Sequence, residues 1–489
     1  MAIRSILYIL FFSWSTSLFS QQLEWGSPQK VKQKSFYNQV LGESNGAVFL
    51  LRSKDSDFKQ ELVIERYKSN LSLEISIQLP LSVNGSVERV LLFPEQILVF
   101  ISARNTATNK IDLLVQSMDL NFKIQGNPQV LCSIPQESFL EKRHIQVKPN
   151  AARSLFGIMY LSQNNKRESV LHLFAFDLRF QQKFGKQFGL GEEERSTVIS
   201  AYDLSNTGES FLLIDFPKKE GGRNNDERKY FLYGYYPISD QMMEYDLEGT
   251  DSMRIEDLGM TLNNVSKTVA VSGLWSPLDK KATRGYFYRR ISFQSGQVEF
   301  SNQQALNDAF FSSLSTAKLD RFDPDLNDFY IRKLISRSDG GLMLIAEKYV
   351  QTRQTYTYYV NNFPQTSTRV IYSFDEVIVL SIDPAGSLQF HSVVKKNQSS
   401  VGDGGYYSSF ITIPTLDQVH ILFNTEGDEE TDIGLQSISY RGQSENRILI
   451  KKSNTNASII PGEYKLVSAN SAIVCAIRDK RFTLMRISF

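Results

Sequence analysis

Short apolar runs of five to seven residues recur along the chain, each flanked by polar clusters. Eight stand out: Ala47–Leu51 (AVFLL), Ile97–Ile101 (ILVFI), Phe156–Leu161 (FGIMYL), Phe211–Phe216 (FLLIDF), Thr268–Leu274 (TVAVSGL), Leu342–Ala346 (LMLIA), Val419–Phe423 (VHILF) and Ala472–Ile477 (AIVCAI). Each is followed, across a polar turn, by a second run rich in β-branched and aromatic residues. These are Leu62–Tyr67, Ile111–Met118, Val170–Phe176, Tyr230–Tyr236, Tyr286–Ile291, Val377–Ile382, Leu435–Tyr440 and Thr483–Phe489. Runs this short, and this rich in Val, Ile, Tyr and Phe, predict strands rather than helices.

The strands group into fours. A weaker apolar stretch precedes most first runs, as in Val90–Phe93, Ile145–Val147, Val198–Tyr202 and Phe410–Ile413. Several second runs lead through a turn into a further strand, as Asp383-Pro384-Ala385-Gly386 leads into Leu388–Val394. Successive first runs begin 50 to 77 residues apart. Self-similar units of this kind predict an all-β fold, a β-propeller of about eight four-stranded blades, or of seven if one weak pair is decoration. A tandem of β-sandwiches would need a linker rich in Pro, Gly or Ser, and the chain shows none.

A propeller must also deal with its free sheet edge. The eighth unit stops at Phe489 after its second run, and Leu23–Lys32 is an extended segment ahead of the first unit. That segment is expected to supply the missing outer strand, so that N- and C-terminal strands close the ring. Two insertions are expected as well. Residues 302–319 place Leu306, Phe310, Leu314 and Ala317 at helical spacing, and residues 352–375, rich in Tyr and Thr, suggest a long hairpin.

Residues 1–20 read as a signal peptide. Arg4 is the one cation before the apolar run Ile6–Trp14, and small residues of the stretch Thr16–Ser20 precede Gln21. The run is near ten residues, against roughly 20 needed to span a bilayer. No Cys follows it, which argues against a lipid anchor, and no later stretch is long enough for a transmembrane segment. The expected organisation is a signal peptide at 1–20 and a single propeller domain at 21–489. The protein should be exported, to the periplasm or the cell surface.

Composition narrows the function classes. There are 54 Lys and Arg against 53 Asp and Glu, a balance that offers no field for nucleic acid. The two cysteines, Cys132 and Cys475, sit in apolar runs where a free thiol packs like a small hydrophobe. They are expected to be unlinked.

Candidate chemistry is sparse. The four His, at 144, 172, 391 and 420, show no metal-ligand spacing, and His172 and His420 lie inside apolar runs. Gly42-Glu43-Ser44-Asn45-Gly46 matches the pattern of a nucleophile elbow, but a strand-like run follows where a helix is required. Gly189-Leu190-Gly191 reads as a turn. Asp323–Asp328 begins like a calcium loop yet carries Asp328 where Gly is needed and Leu334 where Glu is needed. Thr355–Tyr359 and Gly405–Tyr407 have the aromatic content of a sugar platform, and equally of half-exposed strands. No catalytic residue, metal site or cofactor is therefore expected, and the binding residues stay unassigned.

One resemblance adds to this. Arg337–Tyr349 (RSDGGLMLIAEKY), Asp375–Val379 (DEVIV), Asp383-Pro384-Ala385-Gly386 and Lys396–Ser399 (KNQS) resemble a family of uncharacterised exported proteins with propeller-like repeats, known mainly from the cell envelopes of gram-negative bacteria. The likeness covers the last third of the chain and implies a periplasmic or surface location. It carries no activity. The reading is a binding or scaffold module with a protein or glycan partner in the envelope. The alternative is a glycan- or peptide-directed hydrolase or lyase that uses the central funnel.

Overall fold

The structure, a computed structural model, describes residues 21–29, 37–135, 145–164, 166, 168–193, 197–220, 223–248, 253–279, 282–314, 325–361, 363–427 and 431–489. The proposed signal peptide and His144 lie outside them. Eight antiparallel sheets follow one another as the blades of a propeller. They occupy residues 37–78, 86–135, 146–193, 198–246, 253–305, 329–401, 411–450 and 457–488. Every one of the eight first runs forms the second strand of its blade, and every second run forms the third. These two positions have a strand on either side and a neighbouring blade over each face. Both faces are therefore apolar, and the sequence shows continuous runs instead of alternation.

The apolar residues gather into eight clusters, one for each junction between successive blades. One of them joins the last blade to the first, where Val48 and Leu50 meet Ile473 and Cys475. That packing closes the ring. Blade 8 takes only three strands from its own stretch of chain, and Gln22–Trp25 adds the fourth. It runs antiparallel to Arg481–Ser488, with Leu23 opposite Ile487 and Trp25 opposite Met485.

The closing strand ends at Trp25, short of the expected Leu23–Lys32, and residues 30–32 lie outside the described residues. Beyond Trp25 the segment stays fastened: the Gly26 N–H donates to the Leu484 carbonyl, and the Gln29 N–H donates to that of Phe482, each at 2.8 Å. Gln29 then crosses to blade 1, where its side chain meets the Tyr67 hydroxyl and accepts from Arg52 at 2.8 Å.

Two expectations need adjusting. Of the expected helix at 302–319, the described residues form one of six, Asp308–Ser313, capped by the Asn307 side chain, and residues 315–319 lie outside the described residues. Residues 302–305 instead finish the outer strand Val298–Ala305, because pairing with Gly285–Ser292 outweighs their helical spacing. Phe310, Phe311 and Leu314 fill the core between blades 5 and 6. Gly189-Leu190-Gly191 is not a turn, since all three belong to the strand Gln182–Glu193. Residues 352–375 form the outer part of the hairpin made by the long strands Leu342–Val360 and Phe363–Ile382. A short strand, Gln398–Val401, pairs along its side.

Both cysteines are free and buried, Cys132 between blades 2 and 3 and Cys475 between blades 8 and 1. Burial pushes the Cys132 thiol up to about 12, which keeps it protonated and inert.

Candidate functional site

The innermost strands set the geometry of the channel. In blades 1, 2, 4, 5 and 6 that strand slips register by one residue, at Leu41, Glu88, Ser200, Glu256 and Arg332. A bulge of this kind re-aims the side chains on either side of it. Blade 8 departs further. Its innermost strand loses pairing between Ile459 and Tyr464, so Ile460-Pro461-Gly462-Glu463 arches away from the sheet.

That arch faces Tyr37 and Asn38 of blade 1, Arg332 of blade 6 and the loop Gly404–Ser409 between blades 6 and 7. Together they enclose a cavity of about 410 Å³. A second cavity, about 460 Å³, adjoins it and reaches Glu88, Arg89 and Lys465. The two share Asn38, Phe58, Gly462 and Glu463, and form the mouth of the channel. A larger hollow, about 510 Å³, opens beside Asp375, Asn446 and Ile448 in blades 6 and 7, away from this convergence.

Glu463 is the central carboxyl. It is 8% exposed and accepts from the backbone N–H and the side-chain amide of Asn38, each at 2.9 Å. Burial raises its pKa to about 7, against the opposing pull of the Asn38 donors and of Arg52. Its protonated form therefore adds stability that is complete below about pH 4.5 and lost as pH rises through about 7. The Asn38 carbonyl oxygen and the Ser408 hydroxyl line the same mouth, both buried and both without a hydrogen-bond partner. Phe58, Phe374 and Tyr406 supply apolar faces beside them.

Below Ser408, Glu347 and Lys396 are fully buried and 2.8 Å apart. Arg332 and the Ser409 hydroxyl also hold the Glu347 carboxylate, at 2.9 and 2.7 Å. This cluster fixes the blade 6 wall of the mouth.

Most sequence candidates fall elsewhere. Ser44 ends an innermost strand, and its hydroxyl donates to the Pro94 carbonyl. The chain turns at Asn45-Gly46 straight into Ala47–Ser53, so no helix follows the Ser. His172 stacks on Tyr160, 4.3 Å between ring centres, and bonds Ser162. His420 stacks on Phe489 and bonds Ser437. Burial lowers both imidazoles to about 4, as packed neutral rings require. His391 sits edge-on to Phe310. Of the Asp323–Asp328 candidate, residues 323 and 324 lie outside the described residues, and Asp325–Asp328 is a turn in which Leu326 is buried and Asn327 accepts from Thr283. Of the two aromatic clusters, Tyr406 reaches the mouth, while Tyr356, Tyr358 and Tyr359 stand exposed on the hairpin.

Asn38 and Glu463 were illegible in the sequence because 425 positions separate them. The one local signal is Pro461-Gly462-Glu463, a turn motif inside an otherwise strand-like stretch.

No protein-family profile matches the chain, and no curated protein is significantly similar to it. Comparison with solved structures gives matches at low identity and low TM-score. The acylaminoacyl peptidase of Pyrococcus horikoshii is 8% identical with a TM-score of 0.38, over 91% of this chain and 59% of that one. The chain thus spans well under two thirds of that peptidase. Sqt1 of Chaetomium thermophilum is 9% identical with a TM-score of 0.40, over 92% and 99%. An apocarotenoid oxygenase of Synechocystis is 7% identical with a TM-score of 0.35, over 90% and 93%. At such distances no function passes from these proteins to this chain.

Proposed function

We propose that the protein is an exported binding module of the bacterial cell envelope, taking a glycan or peptide partner at the channel mouth. The observation that carries this is the pair of buried polar atoms, Asn38 Oδ1 and Ser408 Oγ, left without partners beside aromatic faces. An unmade buried hydrogen bond costs about 1–3 kcal/mol. A ligand hydroxyl or amide that fills both positions recovers that cost on binding. The mouth sets the loop Gly404–Ser409 and the arch Ile460–Glu463 on a rigid ring of strands, which suits recognition. Residues 1–20 and the likeness to envelope proteins support the location.

The hydrolase or lyase reading has one observation in its favour, the Glu463 carboxyl poised near neutrality. General acid–base cleavage of glycans uses a second carboxyl group. Glu463 is hydrogen-bonded to Asn38 and Cys475. Glu88, which shares the second cavity, is held by Lys59 and Ser102.

The test is a melting-temperature screen against fractionated envelope glycans and peptides, with each ligand checked for cleavage. The expected result is a fraction that stabilises the protein by mass action and is recovered intact. Turnover that disappears in Glu463→Gln would establish the enzyme instead. A screen in which no fraction raises the melting temperature refutes the binding role.

A further inference from the structure

Arg89, Lys148, Lys333 and Lys465 lie on the innermost strands of blades 2, 3, 6 and 8. All four are open to solvent. Even so, the protein around them depresses the pKa of Lys465, and the charges of Arg153, Arg89, Lys333 and Lys148 depress it further. Blades 2 and 6 stand on opposite sides of an eight-bladed ring. Cations on both can act on blade 8 only across the central channel, so these side chains line its wall below the mouth. Arg89 and Lys465 already border the second mouth cavity.

These four cations make no ion pair among the described residues, although their neighbours do. Arg332, next to Lys333, is bound by Glu347, and Glu88, next to Arg89, is bound by Lys59. The charge of Asp203 reaches both Lys148 and Lys333. Asp257, on the innermost strand of blade 5, is already engaged by the backbone N–H groups of Ile331 and Leu258. Arg153 adds a fifth cation, anchored through the Leu92 carbonyl at 2.9 Å. In a chain with 54 basic and 53 acidic residues, such a concentration in one enclosed volume is not a composition effect. Like charges held together in this way destabilise the unliganded protein, and a bound anion relieves them.

We propose that the channel below the mouth holds a small polyanion, a ligand bearing two or more phosphate, sulfate or carboxylate groups. The inference rests on the channel being the binding site and names the class of ligand it takes. Arg89 and Lys148, on the adjacent blades 2 and 3, stand on one side and Lys333 and Lys465, on blades 6 and 8, on the other, so a ligand with two or more anionic groups answers both sides.

Isothermal titration with inorganic pyrophosphate and with citrate tests the proposal and separates phosphate from carboxylate sources. The expected result is one site per chain, weakened by added salt and weakened tenfold or more in the double variant K148M/K333M. Without ligand, that variant melts no lower than the native protein, because it has lost repulsion rather than contacts. Three results would overturn the proposal: no binding of either anion, unchanged affinity in the variant, or a clear fall in its melting temperature, which would make the lysines structural. If an envelope ligand binds the native protein while both polyanions fail, the binding role stands and the ligand class assigned here does not.

Discussion

Deleting residues 21–29 destabilises the protein by about 4–6 kcal/mol and makes it prone to aggregate. The loss has three parts. Gln22–Trp25 stops pairing with Arg481–Ser488, so blade 8 is left with three strands and an open edge. Leu23 and Trp25 leave the core between blades 7 and 8, and Arg478 loses its place over the Trp25 ring. Gln29 no longer ties Phe482 of blade 8 to Arg52 and Tyr67 of blade 1. Urea unfolding and light scattering of the deletion beside the protein that begins at Gln21 measure both effects. An unchanged midpoint would mean that the cores alone hold the ring shut.

Lys396→Met is expected to cost about 3–5 kcal/mol, because it leaves the Glu347 carboxylate buried with only partly exposed Arg332 to balance it. The Lys396 ammonium also donates to the Phe374 carbonyl at 3.0 Å and to Gln398 at 2.8 Å, and these acceptors lose a partner too. Removing both charges, in E347Q/K396M, is expected to cost less than the single change. Chemical denaturation of the two variants decides it. If the double variant is the less stable, the pair contributes net stability beyond mutual neutralisation.

Much of the ring was legible in the sequence, for a specific physical reason. The second and third strands of each blade are buried on both faces, so AVFLL and its seven counterparts appear as unbroken apolar runs. The innermost strands are not. Val87-Glu88-Arg89-Val90 and Ile331-Arg332-Lys333-Leu334 set two consecutive charged residues between apolar ones, because the bulges at Glu88 and Arg332 break the period of two. Those are the strands that build the mouth, so the functional region was the least readable part. The helix shows the converse error. Asn302–Ala305 has part of a helical pattern, but cross-strand pairing with Gly285–Tyr288 decides its conformation. Asn38 and Glu463 meet only because the ring closes, and no spacing rule links residues from opposite ends of a chain.

Gly462 offers the most direct measurement on the channel mouth. It borders both cavities, its backbone is not left-handed, and a Cβ added there meets nothing within 4 Å, which leaves room for a larger side chain to enter the mouth. Gly462→Trp should therefore fill the mouth without disturbing the blades. Equilibrium binding of one envelope-derived ligand is measured for the native protein and for this variant, alongside their melting temperatures. Binding lost at least tenfold with an unchanged melting temperature is the expected result. Equal affinity in a folded Gly462→Trp protein would contradict the account and place the ligand outside the channel.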